Sequence, residues 1–93
     1  MSFLLQRRLR SVARRLAAAR ADLAVTEEQL VQLAEDADFS SVDALVRDEP
    51  AAGLDATEAR RHHQAMLAHR QDLTGRIERL ERQQDELLDR WKR

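Results

Sequence analysis

A chain of 93 residues supports one small domain, and 2 Gly, 1 Pro and 3% aromatic residues leave too little turn chemistry and ring surface for a β fold. The 16 basic and 17 acidic residues nearly cancel to a net charge of −1, and 43% of the chain is apolar, which argues against a disordered polyelectrolyte. No apolar run approaches the roughly 18 residues that a membrane span needs, and the absence of cysteine excludes disulfides, thiolate metal sites and cysteine nucleophiles.

The N-terminal stretch Met1, Ser2, Phe3, Leu4, Leu5 is cut short by Gln6, Arg7 and Arg8, so it does not read as a signal peptide. The expected location is cytoplasmic.

The first predicted element is a helix over about 2–37. Leu5, Leu9, Val12, Leu16, Ala19, Leu23, Thr26, Leu30, Leu33 and Ala37 recur at alternating intervals of four and three. A 3.5-residue repeat sustained that long predicts a supercoiled helix.

The pattern breaks over about 38–54, which reads as a connector. Ser40 or Ser41 can cap a short helix over about 41–47 carrying Val42, Leu45 and Val46. Asp48, Glu49, Pro50 and Gly53 then read as a stop and a turn. Asp55 with Glu58 has the spacing of a capping box, which places the start of the next helix at about residue 56, with Thr57 as a rival cap.

The last element is a helix over about 56–91. Its seam on the same spacing is Ala59, His63, Met66, Arg70, Leu73, Ile77, Leu80, Gln84, Leu87 and Trp91. Gly75 falls off that seam and is the one helix-weakening residue.

Two helices joined by so short a connector should run antiparallel. One register satisfies the whole seam: partners whose numbers add to 96, which pairs Leu5 with Trp91, Leu9 with Leu87, Leu16 with Leu80, Ala19 with Ile77 and Leu30 with Met66. Its midpoint is Asp48, inside the connector inferred from local signals. The expected fold is therefore all-α: one helical-hairpin domain over 1–93, a two-helix coiled coil with a short connector helix. Dimerisation would make it a four-helix bundle, because a lone helix pair buries little apolar surface.

A secondary apolar flank, Ala13, Ala17, Ala24, Val31 and Ala34 on the first helix with Leu67 and Leu88 on the second, is the candidate partner surface. The connector helix is expected to cover its distal part. The charge is lopsided. Residues 1–20 hold six Arg and no acid, residues 21–58 hold eleven acids and one Arg, and residues 59–93 hold nine basic residues and six acids. Arg7, Arg8, Arg14, Arg15, Arg90, Lys92 and Arg93 form the candidate anion-binding end. Asp36, Asp38, Asp43, Asp48 and Glu49 make the other end acidic.

Nothing points to catalysis. His62 and His69 are a heptad apart, about 10 Å along a helix axis, and no two of the three histidines sit at i, i+4, so no metal site is expected. Asp85, Glu86 and Asp89 read as a solvated face, and no glycine-rich phosphate loop is present. No catalytic residue, cofactor or small-molecule substrate is expected. The expected role is that of an adaptor or structural protein whose partner is another protein or itself. The alternative is a basic end that contacts nucleic acid or an anionic membrane.

The segment Leu9 to Leu23, rich in Ala and Arg, resembles the small uncharacterised coiled-coil proteins of actinobacteria, a resemblance that implies no function. The acidic connector is similar to the tip of the coiled-coil arm in Gre-type transcription factors, which implies a transcription-associated role. The globular domain of that family has no counterpart in this sequence.

Overall fold

The computed structural model describes residues 2–93. Two helices account for nearly all of them: α1, Phe3–Arg47, and α2, Pro50–Lys92. No strand occurs among the described residues, and the fold is the all-α helical hairpin that the paired seams predict.

The reversal is tighter than expected. The segment taken as a separate connector helix over 41–47 is the continuation of α1, and only Asp48 and Glu49 lie between the two helices. Asp48 takes a left-handed backbone conformation, φ 53°, and its amide donates to the Ala44 carbonyl at 3.2 Å, closing the last turn of α1. Pro50 opens α2, where its missing N–H would have had no helical partner in any case and its fixed φ suits the first turn. The Gly53 amide donates to the Glu49 carbonyl at 3.2 Å, and the Thr57 hydroxyl donates to the Gly53 carbonyl at 3.0 Å. Asp55 and Glu58 therefore do not cap α2; both lie inside it. Ser40 and Ser41 likewise sit within α1 and cap nothing.

The physical reason is that the seam does not stop at Ala37. Continuing the four-three spacing gives Ser40 and Ala44 on α1 and Ala56 and Ala52 on α2. The first two are half-buried and the last two are buried. Side chains this small carry almost no apolar signal in a sequence, yet they let two helices approach closely enough for a two-residue turn to join them.

The chain divides into two compact units, one of Met1–Ala24 with Gln71–Arg93 and one of Val25–Arg70. In the first, Val12, Leu16, Ala19, Ile77, Leu80 and Leu87 form a buried cluster with Leu5, Leu9 and Leu23 packed against it. Leu73 is the most enclosed side chain of this unit, at 1% exposure. Each fully buried Leu or Ile contributes about 1.5–3 kcal/mol. Leu16 and Leu80, and Ala19 and Ile77, which the expected register pairs, belong to that one cluster. Gln84 stays half-buried beside it. Trp91, which the expected register pairs with Leu5, is 54% exposed, whereas Leu5 is half-buried against the cluster.

In the second unit the buried seam is thinner: Thr26, Leu30, Ala37, Ala52 and Ala56, with Leu33, His63, Met66 and Arg70 half-buried. No buried side-chain nitrogen or oxygen among the described residues lacks a partner. An Asp43–Arg47 ion pair at 3.1 Å, four residues apart, puts a cation in the last turn of α1, where the helix dipole favours it.

Candidate interaction surfaces

The apolar residues left outside the seam are unevenly shared. Of the large apolar side chains among the described residues, the second unit exposes Val25, Val31, Phe39, Val42, Leu45, Val46 and Leu54, and the first exposes Phe3, Leu4 and Trp91. Phe39, Val42 and Val46 fall at i, i+3, i+7, which aligns them on one face of α1. That face is turned away from the seam, because Ser40 and Ala44 hold the inward positions. The expectation that a connector helix would cover the distal flank therefore fails. The segment is coaxial with α1, so its own apolar residues face solvent instead of folding back.

The predicted flank divides in two. Ala13, Ala17, Ala24 and Val31 are exposed on α1, whereas Ala34, Leu67 and Leu88 are half-buried beside the seam. Ala17, Ala24 and Val31 stand a heptad apart in one line, and the next residues on that line, Asp38 and Leu45, carry it into the exposed region near the turn.

The predicted anion-binding end also resolves into separate groups. Arg8, Arg15 and Arg90 line one open groove of about 270 Å³ floored by Val12 and Leu87, with Glu86 as its one acid. Arg7 and Arg14 lie elsewhere on α1, in a shallow depression with Phe3 and Arg10 and no acid. Arg93 sits with Arg90 beside Glu86 and Asp89, and Lys92 is exposed in the last turn of α2. By unit, Met1–Ala24 with Gln71–Arg93 carries twelve basic and seven acidic residues, a net +5. Val25–Arg70 carries four basic and ten acidic residues, a net −6.

His62 borders a shallow depression with Gln29, Gln32, Leu33 and Met66, His63 is half-buried in the seam, and His69 is exposed. No three metal-ligating side chains converge among the described residues. Asp85, Glu86 and Asp89 lie on the solvent face of α2. No described helix is long and apolar enough to cross a membrane.

No known protein family, characterised protein or solved structure matches the chain. The functional reading therefore rests on its surfaces. The sequence reading missed Phe39 and Leu54. The i, i+3, i+7 spacing of Phe39, Val42 and Val46 was the signal available, and it has meaning only once that stretch is known to be helix.

Proposed function

We propose that this hairpin is a non-enzymatic interaction module of the cytoplasm, an adaptor or structural element that binds an amphipathic helix along the outer face of α1 near the turn. The observation that carries this reading is an inversion in the second unit. Three of the five residues in its buried seam are alanines, while Phe39, Val42, Leu45 and Val46 stand in solvent. Contiguous exposed apolar surface on a small helical protein marks a contact surface, and one helical face with anchors at i, i+3 and i+7 suits a partner helix. The unit's net charge of −6 selects a partner whose apolar stripe is flanked by Arg or Lys.

The test compares partners captured by the tagged wild type with those captured by a Val42→Asp, Leu45→Asp variant. These positions are exposed, so helicity by circular dichroism should not change. Selective loss of specific partners supports the reading, and an unchanged set contradicts it.

A second reading rests on Arg8, Arg15 and Arg90 around one groove, and it assigns that groove to an anionic polymer or membrane surface. Binding of this kind weakens steeply with salt through counterion release. Replacing the three arginines by Gln should abolish it while leaving the partner-helix contact intact.

A further inference from the structure

We infer that the occupant of the outer face of α1 is a second copy of this chain, docked antiparallel so that the basic unit of each copy lies on the acidic unit of the other. This rests on the proposed function and names its partner.

The outer face carries a second four-three stripe running from Phe3 to Leu45, and every residue on it is exposed. Its composition changes in thirds. Phe3 leads into Arg7, Arg10 and Arg14. Ala17, Ala21 and Ala24 follow. The last third holds three acidic and three apolar residues: Glu28, Val31, Glu35, Asp38, Val42 and Leu45. Arg7, Arg10 and Arg14 share their depression with no carboxylate.

A stripe ordered basic, small, acidic is complementary to itself reversed. In an antiparallel pair whose residue numbers add to 45, Phe3 meets the partner's Val42, Arg7 meets the partner's Asp38, and Arg10 meets the partner's Glu35. Arg14 lays its aliphatic stem on the partner's Val31. The two-fold axis repeats each contact, so the interface closes on itself and does not propagate into a filament. The alanines in the middle third let two helices approach closely, since interaxial distance follows side-chain size.

The competing arrangements fail on charge. A parallel pair would set arginine against arginine, and acidic unit against acidic unit would bring net charges of −6 together. Only a unit of +5 on a unit of −6 attracts. The apolar contacts at each end, Phe3 on Val42, supply area that the charged pairs cannot, because exposed ion pairs contribute little singly.

The experiment is a reciprocal charge swap read by sedimentation equilibrium. The wild type should dimerise in the tens of micromolar, less tightly as salt is raised. Arg7→Glu with Arg10→Glu should weaken the dimer by about tenfold or more, because four cross-copy pairs turn from attractive to repulsive. Glu35→Arg with Asp38→Arg should do the same. An equimolar mixture of the two variants should form a heterodimer at wild-type strength, since every reversed residue then meets a reversed partner. Circular dichroism of each variant separates lost association from lost fold. A wild type that stays monomeric at every accessible concentration overturns the inference, and so does a dimer indifferent to the swaps or a mixture that fails to recover. Loss of captured partners in the Val42→Asp, Leu45→Asp variant would leave the proposed function standing in those cases, with a different protein as the partner.

Discussion

Leu16 of α1 and Leu80 of α2 lie in one buried cluster, each the same distance along the chain from Asp48. That mirror relation is the physical basis of the hairpin. A 3.5-residue seam keeps facing its partner along a supercoil, so fixing one cross-helix pair fixes the others of the same unit. Disrupting the seam should therefore be costly, and disrupting the outer face should not.

Leu73, 1% exposed, provides the first test. Leu73→Ala should lower the free energy of unfolding by about 2–4 kcal/mol through lost burial and the cavity left behind. Leu45, 84% exposed, is the control. Leu45→Ala should change stability by less than about 0.5 kcal/mol. Urea unfolding followed by circular dichroism measures both.

Gly75 lies inside α2 without a glycine-requiring backbone. A Cβ there would meet only the Arg79 Nη1 at 3.3 Å, the far end of a flexible side chain. Gly75→Ala should raise stability by about 0.8–1 kcal/mol from helix propensity, seen as a higher urea midpoint with an unchanged slope.

Asp48 sits at φ 53°. Glycine adopts that conformation freely, so Asp48→Gly should add about 1 kcal/mol. A β-branched side chain is strained there, and Asp48→Val should remove about 1–2 kcal/mol. The opposite signs at one position, read by thermal unfolding, isolate the backbone effect from any loss of charge.

The outer face should separate stability from association. Phe39→Gln with Val42→Gln should leave the unfolding free energy within about 0.5 kcal/mol per site. The same change should weaken binding at the outer face, whether the partner is a second copy or another helix. Analytical ultracentrifugation alongside urea unfolding gives both numbers.

The legible part of this fold was the part written in large side chains. Leu5, Leu9, Leu16, Leu23 and Leu30 declare their spacing, as do Leu73, Leu80 and Leu87, and together they fix the register and the reversal at Asp48. The turn was legible in place and not in length. Ser40, Ala44, Ala52 and Ala56 continue the seam in residues too small to register as apolar, and Pro50 looks like a stop although it opens α2. The error carried into the surface. Whether Val42, Leu45 and Val46 point inward or outward depends on α1 running unbroken past Ala37. Single-residue propensities do not decide that; the packing of Ala44 and Ala52 does. The arginines near the two termini fall in one unit, and their division between a groove and an outer face required the helix geometry.

Distances between spin labels along the seam test the hairpin most directly, and the chain has no cysteine to interfere. One label at Arg15→Cys is paired in turn with Arg76→Cys, Gln83→Cys and Arg90→Cys, and each distance is read by double electron–electron resonance. Arg15 and Gln83 face each other across the seam, and successive second positions are a heptad apart, about 10 Å along the helix. The Gln83 pair should give the shortest distance of the three. A minimum at Arg76 or Arg90 would mean that the helices pair in another register, and three long distances would mean that they do not pair.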